Sequence, residues 1–417
     1  MHDAIALEYG ADSPLVLEPE PGGLVMDLAG PEGVADDEAR RLVSAAVAAP
    51  PHGPPLAAHV VPGDHVVVAL AGAVPQADVV VAVLRERLVA SGVAPEDVQV
   101  LRGADLESTA AAARAGGGSP SATESAGGGA NAIGSVVSFD PTDDTATAYL
   151  AADDEGQPLY MARALVDADV VVAVGGWGWD AAVGGRSPEG ELWPTFSRLE
   201  CRRRFDVALA RRGRQALPDW RSGAREATWQ LGICASLRLV AGRRDTLHAA
   251  CFGLPDEAAR QARQAADAWR PSIDEPVALT VATLSRPAGS FRAVTRAVAA
   301  AARVTHPAGT ICIASRVATG PGVVFLRWRQ GAPLRRLVHE AVTSGDPTLV
   351  ADAIETRLFA RALGERRLVL LSEIPETEIE ELGFGCASGP EAIERLFQHA
   401  ESVAVLHEAD RMLPRLG

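Results

Sequence analysis

The residues best placed for chemistry lie in one stretch, Gly175-Gly-Trp-Gly-Trp-Asp-Ala-Ala-Val-Gly-Gly-Arg-Ser187, directly after the apolar run Val170–Val174. Its five glycines allow close approach of backbone amides to a ligand and positive φ angles. Trp177 and Trp179 supply flat apolar walls with one donor each. A loop of this kind at the carboxyl end of a strand in an α/β protein is a binding site by position. Gly176-Trp-Gly-Trp-Asp-Ala181 also satisfies the dinucleotide pattern G-x-G-x-x-G/A. That pattern works only if a helix begins at the glycines and points its N-terminus at the pyrophosphate. Gly184, Gly185 and Pro188 follow too soon for such a helix. The chain contains no lysine at all, which excludes Walker-type phosphate loops and Schiff-base chemistry.

Arginine carries all the fixed positive charge. Arg202, Arg203, Arg204, Arg211 and Arg212 crowd a segment just after the glycine loop. Three adjacent arginines cannot share one helical face, so some point to solvent or pair with Glu200 and Asp206. The functional alternative has Arg186 and one of the trio gripping a carboxylate or phosphate, for which guanidinium forks are suited. His52, His59 and His65 lack the i, i+3 or i, i+4 spacing of a helical metal site. The five cysteines are scattered without a CxxC pair, as expected of reduced, buried thiols in a cytoplasmic protein. No G-x-S-x-G elbow is present.

The elements that must position these groups read as two α/β units. A chain of 417 residues is too long for one ordinary core. A net charge of −15 argues against nucleic-acid and anionic-membrane partners. The N-terminal residues lack a signal-peptide pattern, and no apolar run reaches membrane-spanning length. Helices are expected over 36–48, 77–90, 159–165, 194–212, 255–269, 290–304, 334–343, 347–362 and 389–399. Strands are expected over 64–71, 98–101, 145–150, 236–240, 246–251, 277–283, 309–314, 367–372 and 402–406. Gly116–Gly134 is low-complexity and reads as a flexible loop. The domains are expected at 1–270 and 274–417, with largely parallel sheets and an interdomain cleft.

In order along the chain, Leu7-Glu-Tyr-Gly10, Gly53-Pro-Pro-Leu56, Val61-Pro-Gly-Asp-His-Val-Val-Val68, Gly156-Gln-Pro-Leu159 and Ala164-Leu-Val-Asp-Ala-Asp169 resemble successive motifs of the nickel-dependent lactate racemase family. The glycine loop stands where that family has its PHxxaGFxGGxK loop, and Ala301–Ile311 is similar to its helix-turn-strand leading to a G-x-G, here Gly320-Pro-Gly322. The resemblance implies a lactate racemase-like fold. It also implies racemisation of 2-hydroxy acids by hydride transfer to a nickel-pincer nucleotide, anchored by a lysine and served by histidines. Carried over residue by residue, the catalytic histidines fall on Asp105 and Trp177, the anchoring lysine on Ser187, the metal histidine near Arg203, and a further lysine on Arg296. The family's substrate-binding arginine motif is replaced by Ala69-Leu-Ala-Gly-Ala73.

The expectation is therefore a divergent racemase-fold protein without its relatives' chemistry and without a metal, binding a small anion or nucleotide between its domains. Gly176, Trp177, Gly184, Gly185, Arg186, Ser187 and Arg296 would shape the pocket, and Trp179, Asp180 and Arg203 would line it. The alternatives are an active 2-hydroxy acid racemase or epimerase with unorthodox ligands, and a noncatalytic regulatory or assembly protein.

Overall fold

The structure is a computed structural model that describes residues 4–10, 14–19, 24–72, 74–103, 136–152, 156–185, 192–285 and 289–417. Two six-stranded sheets organise it. The first runs, edge to edge, Leu247–Gly253, Ala235–Ala241, Val170–Trp177, Val66–Ala71, Val98–Arg102 and Val136–Ser138. All neighbours are parallel except the outer pair of Leu247–Gly253 and Ala235–Ala241. All six residues of Val66–Ala71 are buried, as a central strand covered on both faces requires. One face packs under Val43 and Val47 of helix Asp36–Ala48 and Val80 and Leu84 of helix Ala77–Ala90. The other packs on Leu159, Met161, Phe196 and Ala227.

The second sheet is fully parallel, in the order Gly385–Cys386, Arg367–Leu371, Thr305–Ala314, Val277–Thr283, Ser402–Leu406 and Leu24–Leu28. Helices Phe291–Ala301 and Pro347–Leu363 cover the face turned toward the first half of the chain. Helix Pro390–Gln398 and the hairpin of Ile5–Glu8 with Pro14–Leu17 cover the other. A boundary at 270–274 therefore divides the chain incompletely. The strand Leu24–Leu28 extends the second sheet, and Leu7, Leu15 and Leu17 are buried with Val281 and Cys312. Without these N-terminal strands, Ser402–Leu406 would be an open edge.

Several elements differ from expectation for local reasons. Residues 158–162 form a strand, Pro158–Ala162, paired with Thr147–Ala152, and only Arg163–Val166 is helical. Leu159 and Met161 are buried while Tyr160 between them is half-buried, the period-two pattern of a strand. The arginine-rich helix starts at Leu199, because Ser197 still bridges to Met161. A further helix, Leu217–Gln230, is interrupted in sequence by Gly223, over which the Trp193 ring lies, 3.3 Å from where a Cβ would stand. The segment 116–134 and residues Asp105, Arg186 and Ser187 lie outside the described residues. Among the described residues no helix is long and apolar enough to cross a membrane.

Phe359 anchors the helical layer of the second sheet. Its fully buried ring lies 4.8 Å from Phe325, 5.7 Å from Phe384 and 5.9 Å from Phe291. Phe359→Ala removes a large side chain from a close-packed aromatic cluster. A loss of about 3–5 kcal/mol of unfolding free energy is expected in urea titrations.

Candidate functional site

Strand Val170–Trp177 continues through the first glycines: Gly175 pairs with Arg238, Gly176 with Leu239 and Trp177 with Val240. The chain then folds into a tight hairpin in which Trp179 pairs with Gly185 and Asp180 with Gly184. Asp180 organises that turn, its Oδ1 accepting from the Ala182 and Val183 N–H groups at 2.8 and 3.1 Å. Gly185 has to be glycine, because a Cβ there would stand 2.9 Å from the Trp179 ring. No helix starts at these glycines, so the dinucleotide pattern lacks its structural context.

The two tryptophans are core residues rather than open walls. Trp177 and Trp179 stand edge to face at 5.0 Å and belong to the buried cluster shared by both halves of the chain. Trp179 Nε1 donates to the Ala266 carbonyl at 2.8 Å, and the Arg270 guanidinium lies 4.5 Å from its ring centre.

Asp180 also reaches across to the second half. Its Oδ2 accepts from Arg296 Nε at 3.3 Å, while Arg296 Nη1 is bound to Glu355 Oε2. Burial alone would lower the affinity of Arg296 for its proton. The Glu355 and Asp180 carboxylates outweigh burial and hold the guanidinium above its ordinary pKa. Arg292 Nε lies 3.7 Å from the other Glu355 oxygen.

Across the seam, helix Leu199–Arg212 turns Arg202 and Asp206 inward and leaves Arg203 exposed. Arg203 is therefore displaced from the site by its neighbour, since a helix can aim only one of three consecutive side chains at a given partner. Burial pushes the Arg202 guanidinium down to about 10, with Asp206 opposing the shift and Arg292 adding to it. Burial raises the Asp206 carboxyl, against the pull of Arg202 and Arg292. Trp177, Gly184, Gly185 and Arg296 are thus brought together around Asp180, whereas Arg203 is not.

Arg238 was not foreseen. It is 2 % exposed on strand Ala235–Ala241, beside Gly175 and on the same sheet face as Ser236 and Trp177. Its signal in sequence is a single arginine inside the apolar run Ala235-Ser-Leu-Arg-Leu-Val-Ala241. Arg202 Nη1, Trp177 Nε1, Trp193 Nε1 and Trp220 Nε1 are buried without a hydrogen-bond partner. All four are donors, and all lie in the segment that leads from the loop through the next two helices. The five cysteines are free thiols; burial pushes Cys251 up to about 11 and Cys312 to about 12, which keeps both protonated and unreactive.

Comparison with family models and with curated proteins finds no match. Among solved structures, this chain is similar to the lactate racemase apoprotein from Thermoanaerobacterium thermosaccharolyticum. The likeness has a TM-score of 0.72 at 15% identity and covers 99% of this chain and 100% of that one. It is also similar to a protein from Thermotoga maritima, with a TM-score of 0.61 at 14% identity over 93% of this chain and 100% of that one. The fold is lactate racemase-like.

Arg296 ties the glycine hairpin to helix Pro347–Leu363. Arg296→Met leaves Asp180 without its cation and Glu355 with only Arg292 beside it. The full chain is expected to lose about 3–5 kcal/mol of stability at neutral pH, read from denaturant unfolding.

Proposed function

We propose that this chain is a racemase-fold protein that binds a small anion, a carboxylate or phosphate, between its halves without nickel-pincer hydride transfer. The observation that carries the reading is the surplus of buried donors: Arg202 Nη1 and the indole nitrogens of Trp177, Trp193 and Trp220 lack acceptors. A buried donor without an acceptor costs about 1–3 kcal/mol. An anion supplies acceptors on several sides at once. The lowered pKa of Arg202 agrees, because an approaching anion would restore the stabilisation that burial has removed.

The racemase fold suggests the pincer nucleotide as an alternative occupant, and the donor set does not suit it. An indole stands at 177 and an exposed guanidinium at 203, neither of which ligates a metal. The chain has no lysine to anchor the cofactor covalently. The anchoring position falls on Ser187, and Arg296, the counterpart of a further family lysine, is held by two carboxylates. By fold analogy the anion class includes 2-hydroxy acids such as lactate, which the name of the structural neighbour contains.

The test is calorimetric titration of the full chain with lactate, with inorganic phosphate and with a nucleoside monophosphate. Saturable binding of at least one is expected, weakened about tenfold or more in Arg202→Met, in line with loss of a hydrogen bond to a charged group. No binding of any of the three up to millimolar concentration, or interconversion of lactate enantiomers by nickel-loaded protein, would overturn the proposal.

A further inference from the structure

In the second sheet, Val277–Thr283 and Ser402–Leu406 are parallel neighbours, and the helix after the first packs with the short turn after the second. The crevice beyond their carboxyl ends is the usual ligand position in an open parallel sheet. Here it receives the turn that follows strand Ala235–Ala241 of the first sheet. Glu408 Oε1 accepts from the Arg244 backbone N–H at 2.7 Å, and Arg411 Nη2 lies 2.7 Å from Asp245 Oδ1. The Arg244 side chain binds Glu8 at 2.7 Å.

Three of the four non-glycine residues with positive φ among the described residues meet here: Arg244 (57°), Asp245 (59°) and Glu408 (55°). Left-handed backbone at such residues is strained and persists only where surrounding contacts impose it. Glu408 is 8 % exposed, and its Oε2 has no hydrogen-bond partner; the nearest cation, Arg411 Nη1, is 3.9 Å away. It borders a cavity of about 20 Å³ between Glu8, Arg244, Thr283 and His407, enough for one water molecule.

We propose that Glu408 is a proton-operated latch between the two halves of the chain, holding the 242–246 turn in the crevice when neutral and releasing it when ionised. The neutral carboxyl keeps its carbonyl oxygen on the Arg244 N–H and turns Oε2 into a donor facing the water-sized cavity. The ionised group leaves a buried oxygen unsatisfied. Burial raises the proton affinity of Glu408, with Asp410 adding to it and the Arg244 N–H, Arg411 and Arg243 opposing. The other charged groups facing the seam are already engaged. Glu8 holds Arg244, Asp245 holds Arg411, Asp27 holds His407 at 2.7 Å, and Asp410 accepts from Ser285 N and Oγ at 2.7 and 2.5 Å. The sign follows from linkage: the closed seam binds the proton more tightly than the open one. Closure is therefore complete at low pH and is lost as pH rises through the raised pKa of Glu408.

Hydrogen exchange of the full chain, followed from about pH 4 to about pH 8 and corrected for intrinsic chemistry, reads the latch. A several-fold rise in exchange at 242–246 and 407–411 is expected in the wild type and in Asp410→Asn and His407→Gln, but not in Glu408→Gln. Should Glu408→Gln fail to fold, Glu408→Asn serves, because asparagine is neutral and tolerates the left-handed backbone. A wild type without a pH step, or a step that survives in the folded Glu408 variant, would overturn the proposal.

Discussion

A buried guanidinium must be paired, and the pairing of Arg296 fixes the geometry around it. Arg296 lies on the helix that covers the second sheet, and its two carboxylate partners come from opposite directions. Glu355 sits on the neighbouring helix, and Asp180 sits on the hairpin at the end of the central strand of the first sheet. Because Asp180 also binds the turn amides of Ala182 and Val183, the ion pair and the hairpin define each other. The hairpin in turn seats Trp179 on Gly185 and on the Ala266 carbonyl. One charge thereby sets the conformation of a glycine-rich loop that could otherwise adopt many.

The seam between the halves is polar at two separated places. Around the hairpin the surplus is of donors, with Arg202 and several indoles buried near one face of the first sheet. At the ends of the second sheet the surplus is an acceptor, the Glu408 oxygen beside its water-sized cavity. Buried donors without acceptors favour an anion, and an orphan carboxylate oxygen favours a proton.

Much of the scaffold was legible in sequence because hydrophobic periodicity reports burial directly. Helices Asp36–Ala48 and Ala77–Ala90 and strands Val277–Thr283 and Ser402–Leu406 lie where their patterns place them. The pattern failed where tertiary pairing decides. The helix expected over 159–165 gives way to the strand Pro158–Ala162 because Thr147–Ala152 lies beside it. No local signal sends Leu24–Leu28 to a sheet whose partner strand begins at Ser402. At the site, the glycine loop and Arg296 were visible as residue types. Which arginine of Arg202, Arg203 and Arg204 turns inward depends on helix phase, and the burial of Arg238 depends on strand pairing with Gly175. The left-handed turn at Arg244 and Asp245 left no trace, because arginine and aspartate carry no glycine-like marker of positive φ.

The central claim is that a racemase-like fold here serves anion binding in place of nickel-pincer chemistry. Native and denaturing mass spectrometry of the full chain, isolated from the cells that make it, tests this most directly. The account predicts a denatured mass equal to that of the polypeptide, and a native mass increased by a small acidic ligand without nickel. A nucleotide adduct that survives denaturation, accompanied by one nickel ion per chain, would contradict it.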